Sequence, residues 1–318
     1  MENQVNNIYV GFITYGEATA KYLPYFLPSL KNQTYKEFKI LAIDNSAAED
    51  NENAKYIREN FSEINLSWPG KNLGFAKAFN LMIKEASEAG AEYFLVLNPD
   101  ISLEPLAIEK LVLALDNDKT LSSATAKILK WNFSAQEKTN IIDSCGIKLL
   151  PGLRFADWGE GKKENEACAG EIIGPSGACA IYRLSALDQV KENNQYFDER
   201  MFMYKEDCDL AYRLFSAGFK AKCVTDAVVY HDRSSGGQGE GDLAIVLNRK
   251  NKSRLVKRLS FLNQQLIFKK YWRKQNWLNK LAIIWYEFKI LAYVLIFEPY
   301  LLKEFLALKT IKNGGQKN

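Results

Sequence analysis

The chain has 318 residues, of which 47% are hydrophobic and 25% are charged, so it can bury the core of one large domain plus an extension and is not a disordered or fibrous protein. The formal net charge of +4 divides unevenly, with −9 on residues 1–242 and +13 on residues 243–318. This division predicts an acidic body and a basic tail that faces an anionic partner. It argues against nucleic acid as that partner, because the acidic body would repel it.

Cysteine usage and the chain ends predict the compartment. The five cysteines form no Cys-x-x-Cys pair and are odd in number, so neither a metal knuckle nor a disulfide framework is expected, and a reducing cytosol is the simpler setting. The first residues are polar without a basic start, which predicts no signal peptide. The longest uncharged apolar run near the C-terminus, residues 290–297, is too short to span a membrane.

Apolar runs and helical patterns alternate along the first half of the chain. Strands are predicted at residues 8–13, 38–43, 64–68 and 93–97, and helices at residues 22–32, 53–60 and 74–89. This order predicts a parallel sheet with right-handed crossovers. Later elements are a helix after Pro105, strands near residues 121–129, 178–184 and 221–224, and a helix at 207–217. Residues 131–170 read as a loop or small hairpin, and the chain beyond residue 243 is basic and helical.

Acidic residues follow two of the predicted strands. The buried run Tyr93–Leu97 leads into Asn98-Pro99-Asp100, and Asp44 ends the second strand. Ligands of open α/β sheets bind outside the carboxyl ends of the strands, so Asp100 lies where a metal or substrate would bind, and Asp44 could accept hydrogen bonds from a nucleotide. The alternatives are a plain turn at Asn-Pro-Asp and a helix cap at Asp44.

Two glycine-containing segments could bring a ligand close to the backbone. Gly74 follows Asn72 at the start of a predicted helix, where N–H groups favour a phosphate, and Asn80 lies two turns further on. Gly177 lies among small residues that precede a strand. A capped helix packed in the core and an ordinary turn are the respective alternatives.

Three carboxylates, Glu206, Asp207 and Asp209, open the predicted helix at 207–217. The helix dipole alone explains acidic residues there, but Asp209 can pair with Arg213 four residues on, which leaves Glu206 and Asp207 for chemistry. A carboxylate at a helix start stays ionised, as a general base must. His231, the single histidine, follows an apolar run and is either structural or a metal ligand.

In this order, these segments resemble the inverting family-2 glycosyltransferases, in particular a subgroup of bacterial rhamnosyltransferases. The resemblance covers residues 8–258. It implies an α/β GT-A fold, a Rossmann-like and mostly parallel sheet flanked by helices, with a C-terminal basic amphipathic helical extension. Residues 1–242 would form the catalytic domain, and residues 243–318 would form the membrane-associating extension.

The resemblance also assigns roles. Asp207 would be the catalytic base for a single displacement with inversion, and Asp100 and His231 would hold Mg²⁺ or Mn²⁺ with the donor diphosphate. Asn98 stands where the family often has the first acid of an Asp-x-Asp motif, so weaker metal affinity is expected. The candidate substrate-binding residues are Thr14, Asp44, Asn72, Gly74, Asn80, Asn98, Gly177 and Glu206.

The expected partners are a nucleotide-sugar donor, a glycan or lipid-linked glycan acceptor and an anionic membrane surface. Basic residues interleaved with aromatic ones beyond residue 243 predict helices lying on such a surface, which makes the protein cytoplasmic and peripheral on the inner face of the cell membrane. In the alternative, these helices pack on the catalytic domain or on a second copy, in a homodimer. Two rival functions are an inactive nucleotide-sugar-binding scaffold and a sugar-1-phosphate nucleotidyltransferase. The latter usually has a basic, glycine-rich loop after the first strand, which this sequence lacks.

Overall fold

The structure is a computed structural model, and it describes residues 7–165, 168, 170–233 and 253–311. The strands are β1 (Ile8–Thr14), β2 (Phe38–Asp44), β3 (Asn65–Ser67), β4 (Tyr93–Leu97), β5 (Ile101–Leu103), β6 (Leu121–Asn132), β7 (Glu137–Ser144), β8 (Ile147–Leu150), β9 (Arg154–Asp157), β10 (Cys179–Arg183) and β11 (Lys220–His231). The helices are α1 (Gly16–Ala20), α2 (Leu23–Lys31), α3 (Glu52–Asn60), α4 (Gly74–Glu88), α5 (Ala107–Asn117), α6 (Leu184–Val190), α7 (Glu206–Ser216), α8 (Arg254–Tyr271), α9 (Trp277–Phe297) and α10 (Glu304–Thr310).

The main sheet has the strand order β3-β2-β1-β4-β10-β6-β11-β5, and β7 pairs with β6. Strands β1 to β4 are parallel, as predicted, and so are β6 and β11. Strand β10 runs antiparallel to both of its neighbours, β4 and β6. Its amino end therefore lies at the same edge of the sheet as the carboxyl ends of the parallel strands, which brings the segment around Gly177 beside the end of β4.

The core lies on both faces of the sheet, and β4 shows why its sequence is apolar throughout. Tyr93, Leu95 and Leu97 pack with α2 and α5 on one face. Phe94 and Val96 pack with α4 and α6 on the other. Because successive side chains of a strand point to opposite faces, a strand covered on both sides needs an unbroken apolar run.

The segment expected to be a loop or small hairpin is more ordered than predicted. It contains the hairpin β8–β9, and β7 extends the main sheet along β6. Cys145 and Cys168 are joined as a single disulfide, which was not predicted, although the expectation concerned a framework of several such bonds. Cysteine spacing was a poor guide, because this contact joins the end of β7 to a loop that the sequence does not show to be adjacent.

The C-terminal helices pack on the domain that contains the main sheet through α8. Leu266, Ile267 and Tyr271 share a buried cluster with Leu153 and Met201. The following helix α9 is different, because most of its large apolar side chains are exposed. The alternative in which the extension packs on the domain is thus correct for α8, while the predicted domain boundary between residues 242 and 243 lies outside the described residues. In the part of the chain that is described, no helix is long and apolar enough to cross a membrane.

Candidate active site

The carboxyl ends of β1 and β2 place two candidate donor-binding residues side by side. Thr14 and Asp44 are register partners on the neighbouring strands, and both are buried. The Oγ1 atom of Thr14 has no hydrogen-bond partner. The Asp44 carboxylate instead accepts hydrogen bonds within the protein, from Ser46 Oγ (2.5 Å), Ser46 N (3.1 Å) and Asn51 Nδ2 (2.5 Å). Asp44 therefore shapes the loop after β2, and Thr14 keeps a free hydroxyl at the edge of the sheet.

The start of α4 is fixed by side-chain caps and by a glycine. Oδ1 of Asn72 accepts a hydrogen bond from the N–H of Gly74 at 2.8 Å. Gly74 has φ +72°, and a Cβ there would lie 2.4 Å from the carbonyl oxygen of Phe202. The N–H of Phe75 donates to that carbonyl at 2.8 Å. Gly74 is thus required for the close approach of the segment that leads into α7.

Asn80 was predicted to bind substrate, but the structure uses its amide within the protein. Nδ2 donates to the Phe197 carbonyl (2.8 Å), and Oδ1 accepts from the N–H groups of Phe197 (2.7 Å) and Tyr196 (3.2 Å). Both ends of the side chain are engaged, because a buried amide without partners would cost stability. Asn80 therefore holds the loop before α7 in place, in contrast to the predicted role.

The end of β4 and the end of β11 meet at Asp100 and His231. Nε2 of His231 lies 3.3 Å from Oδ1 of Asp100, and this oxygen is buried without a hydrogen-bond partner. The N–H of Asp232 donates to the Asp100 carbonyl and ties the two ends together. Asn98 lies beside them, and its N–H donates to the carbonyl of Ala178. A carboxylate oxygen beside an imidazole nitrogen can bind Mg²⁺ or Mn²⁺ once the imidazole gives up its Nε2 proton.

The other ring nitrogen of His231 is held by a residue that the sequence analysis missed. Nδ1 lies 2.8 Å from Oδ2 of Asp143, which is buried at the end of β7. Burial lowers the pKa of His231, but Asp100 and Asp143 outweigh it and raise that pKa to about 10. The signal for Asp143 was present, because it follows Ile141-Ile142 as Asp44 follows Ile43.

Arg233 completes this buried group, and it was also missed. Its Nη1 lies 2.8 Å from Oδ2 of Asp157 and 3.6 Å from Oδ1 of Asp143. Asp157 also accepts a hydrogen bond from Ser144 Oγ at 2.8 Å. Burial works against the low pKa of Asp143, but the nearby Arg233 and His231 charges keep the pKa of this carboxyl below its ordinary value. Asp143 is therefore an ionised partner for the imidazole.

Asp207, the predicted base, lies in the first turn of α7 and is partly exposed. Its Oδ2 accepts a hydrogen bond from the N–H of Gly177 at 3.1 Å, and its Oδ1 accepts one from the N–H of Cys208 at 2.8 Å. Burial raises the pKa of Asp207, the N–H of Gly177 opposes this effect, and the charge of Asp157 adds to it. A carboxylate that is accessible, oriented and raised in pKa has the properties of a general base.

Glu206 differs from its neighbour Asp207 because it is buried. Its Oε2 has no hydrogen-bond partner, and burial, with the charge of Asp207 added, raises its pKa well above the ordinary value. Asp209 forms the predicted pair with Arg213 (Oδ2 to Nε, 2.9 Å). The three carboxylates of this turn thus have three environments, and Asp207 is the one that is partly exposed.

The start of α7 and the end of β4 are joined through the segment before β10. The N–H of Gly177 donates to Oδ2 of Asp207, and the carbonyl of the next residue, Ala178, accepts from the N–H of Asn98, two residues before Asp100. The charge of Asp157 contributes to the raised pKa of Asp207, and Asp157 also pairs with Arg233, two residues after the end of β11. The structure therefore brings the predicted base and the predicted metal contacts to one edge of the sheet.

Comparison with known protein families decides what this arrangement is. The model of the family described as "Glycosyl transferase family 2" matches residues 9–191. The chain belongs to glycosyl transferase family 2. This family 2 enzyme is therefore a glycosyltransferase, and the matched range includes β1, β4 and Gly177.

Two curated relatives are rhamnosyltransferases. The N-acetylglucosaminyl-diphospho-decaprenol L-rhamnosyltransferase of Mycobacterium tuberculosis is 29% identical over 232 residues, which are 67% of this chain and 72% of the relative. The dTDP-rhamnosyl transferase RfbF of Shigella flexneri is 25% identical over 226 residues, which are 71% of this chain and 69% of the relative. The resemblance to rhamnosyltransferases is thus confirmed for this family 2 chain.

A solved structure supports the fold. The crystal structure of GalNAc-T7 with UDP, GalNAc and Mn²⁺ has a TM-score of 0.56 and 14% sequence identity, and the match covers 73% of this chain. The chain spans 44% of that protein's length. The predicted GT-A fold class is confirmed: a mostly parallel sheet flanked by helices, with C-terminal helices added.

Proposed function

We propose that this family 2 glycosyltransferase moves a sugar from a dTDP- or UDP-linked donor, with dTDP-rhamnose the first candidate, to a hydroxyl group of a lipid-linked glycan in cell-surface polysaccharide synthesis. The observation that carries the proposal is the Asp207 carboxylate, which is held by the Gly177 N–H at the edge where Asp100 and His231 meet. The choice of rhamnose and of a lipid-linked acceptor is supported by the names of the two curated relatives.

In the proposed reaction, Asp207 accepts the proton of the acceptor hydroxyl as its oxygen attacks the anomeric carbon. The bond from that carbon to the diphosphate breaks in the same step, so this single displacement inverts the configuration at the anomeric carbon. A positioned carboxylate contributes about 10²–10⁴-fold to such a proton transfer. Gly177 orients Oδ2 through its N–H, and a side chain there would contact Phe75, since a Cβ would lie 3.3 Å from that ring.

The donor diphosphate would be held at the end of β4. Asp100 and His231 would bind Mg²⁺ or Mn²⁺, which acts as a Lewis acid on the leaving diphosphate. Asp143 holds the His231 ring so that Nε2 points toward Asp100, an arrangement typical of metal-binding histidines. The nucleoside would lie over the ends of β1 and β2, where the Thr14 hydroxyl is unpartnered. Asn72, Gly74 and Asn98 border the same edge.

The membrane surface would be contacted by α9. Its exposed apolar side chains recur at the spacing of one helical face, and Trp285 and Phe288 are each 63% exposed. Arg273, Lys274 and Lys280 precede or flank this face. Aromatic and aliphatic side chains beside basic residues favour the interface of an anionic bilayer, which would bring the enzyme to a lipid-linked acceptor on the inner face of the cell membrane.

The donor is tested by thermal stabilisation against a panel of nucleotide-sugars, with and without Mn²⁺. We expect a Mn²⁺-dependent shift for one dTDP- or UDP-sugar, and we expect Asp100→Asn to abolish the dependence on Mn²⁺. Asp226→Asn, an exposed carboxylate on the same sheet, is the control. If no nucleotide-sugar stabilises the folded protein, the proposed function is wrong; donor binding without turnover on any acceptor would support a scaffold instead.

The membrane contact is tested by sedimentation with vesicles of anionic and of neutral lipid. Binding should require anionic lipid and should be reduced by the double substitution Trp285→Ser and Phe288→Ser. Leu113→Ser, which changes an exposed leucine on α5, is the matched control. If the double substitution lowers the oligomeric mass in solution and leaves vesicle binding unchanged, α9 contacts a second copy of the chain and the membrane proposal fails.

A further inference from the structure

Three cysteine side chains converge at a place that the proposed reaction does not use. The Sγ atoms of Cys145, Cys168 and Cys223 all lie within 4.8 Å of one another. We call these three residues the cysteine cluster. They come from the end of β7, from the loop before β10 and from the middle of β11. In the described part of the chain, no other three histidine, cysteine or acidic side chains bring their ligand atoms so close together.

The disulfide between Cys145 and Cys168 accounts for only two of the three sulfur atoms. Cys223 remains a free thiol beside it. A dithiol reductant would transfer two electrons and two protons to this disulfide, giving two thiols and the oxidised reductant. In the reduced cluster, no covalent bond joins the sulfur atoms, and the three thiols lie close enough together to bind one metal ion.

The surroundings of the cluster are apolar, because Leu129, Ile142 and Trp158 pack around it. Neutral thiols are stable in such a place, so the bonds from three thiolates to one metal ion have to supply the free energy that releases the thiol protons. The convergence of three sulfur atoms allows one ion to make all three bonds at once.

We propose that the reduced chain binds one Zn²⁺ ion through Cys145, Cys168 and Cys223. Thiolate sulfur is the soft ligand that Zn²⁺ prefers over Mg²⁺ and Mn²⁺, whereas the Asp100–His231 pair offers oxygen and nitrogen. Each thiol releases its proton to solvent as it binds, and a water molecule completes the tetrahedral coordination. The three thiolates leave the site with one negative charge, and Lys127, which also pairs with Glu164 (Nζ to Oε2, 3.3 Å), is the basic side chain near Cys223.

The zinc ion would fasten the loop before β10 to two strands that also carry active-site residues. Cys145 follows Asp143 by two residues at the end of β7, and Cys223 lies on β11, the strand that ends at His231. The N–H of Cys145 also donates to the carbonyl of Trp158 at 2.8 Å. The site is structural and lies apart from the reacting groups, so it does not depend on the proposed function.

The test measures metal content and thiol reactivity of the full chain, purified with a phosphine reductant. Inductively coupled plasma mass spectrometry should find about one zinc ion per chain. When Co²⁺ replaces zinc, we expect absorption bands from charge transfer between sulfur and the metal. Because loss of an outer-shell partner already costs about 10–100-fold in metal affinity, Cys223→Ser should weaken binding at least that much. Cys179→Ser, which changes a buried free cysteine on β10 that is not part of the cluster, should bind zinc like the native chain. Asp100→Asn should also leave zinc content unchanged.

A second measurement needs no substitution. Zinc added to the reduced chain should protect the three cluster thiols from alkylation and leave the labelling of Cys179 and Cys208 unchanged. The proposal is overturned if the reduced chain takes up no zinc or Co²⁺, if Cys223→Ser binds zinc as tightly as Cys179→Ser does, or if zinc protects no cluster thiol. Either of the first two results, with donor binding intact, would leave the glycosyltransferase proposal standing.

Discussion

The backbone N–H of Gly177 donates a hydrogen bond to Oδ2 of Asp207 at 3.1 Å, across 30 residues of sequence. Gly177 lies two residues before the antiparallel strand β10, and Asp207 lies in the first turn of α7. Their contact depends on the reversed direction of β10, which turns its amino end toward the active edge. This contact aims the proposed base and suggests how its role can be tested.

Asp207→Asn should lower the rate of sugar transfer by about 10²–10⁴-fold, because an amide cannot accept the proton of the acceptor hydroxyl. Donor affinity, measured by titration calorimetry, should change little, since the amide keeps the size of the carboxylate. The exposed Asp226→Asn serves as the control. Equal losses of donor binding and of transfer would contradict the assignment of Asp207 as the base.

The pH dependence of transfer should reflect the raised pKa of Asp207. The base acts only when ionised, so kcat/KM should fall as the pH falls through a pKa above the ordinary value of 3.8. Because the folded state binds this proton more tightly than the unfolded state, the ionised form costs stability at neutral pH. Asp207→Asn should therefore raise Tm at pH 7 and have less effect near pH 4. An acid limb at or below pH 3.8 would refute this prediction.

Asp143→Asn should weaken Mn²⁺ binding by about 10–100-fold, because Asp143 fixes the ring of His231 that would bind the metal. Free Mn²⁺ is measured directly by electron paramagnetic resonance, which does not depend on turnover. Arg233 keeps its contact with Asp157 in this variant, so the fold should be retained. Asp188→Asn, a partly exposed carboxylate on α6, should bind Mn²⁺ normally. Unchanged Mn²⁺ affinity in Asp143→Asn would remove this residue from the site.

Lys270→Ala should destabilise the fold by about 1–3 kcal/mol, because the buried Asp209 and Asp198 each lose one charged partner, while Asp209 keeps Arg213 and Asp198 keeps Arg200. The Nζ atom of Lys270 lies 2.7 Å from Oδ1 of Asp209 and 3.2 Å from Oδ2 of Asp198. The neighbouring Lys269 is exposed and provides the matched control, Lys269→Ala. Chemical denaturation measures both free energies of unfolding. If the two variants have similar free energies of unfolding, Lys270 does not hold α8 on the domain.

The sequence predicted the parts of the fold that depend on local patterns. Strand β4 was found with its bounds because both faces are covered, which requires a continuous apolar run. The direction of β10 was not predicted, because an apolar strand reads the same in either orientation. Strand β5 has only three residues and offers too short a pattern to recognise.

The sequence predicted site residues where local signals mark them, such as an acidic residue at the end of a strand. The prediction was incomplete where a residue belongs to the site only through contacts with distant parts of the chain. Asp100, Asp207 and His231 came from local signals, and the structure brings them to one edge. Asp143 shares the same signal at the end of β7 but lies in a segment whose periodicity was weak. Arg233 could not have been found, since its partners come from other elements. The contacts of the Asn80 amide within the protein could not be predicted, because a sequence does not show which buried amides already have partners.

The charge division along the chain has a consequence for how the protein responds to salt. Part of the basic tail is used internally, because Lys257 and Lys270 are largely buried and lie against Glu298 and Asp209. Buried pairs are screened little by dissolved ions, whereas charges at the surface are screened over about 10 Å at 0.1 M ionic strength. If the protein binds an anionic bilayer as proposed, concentrated salt should weaken that binding while α8 stays packed on the domain, so that washing a membrane pellet would release protein that is still folded.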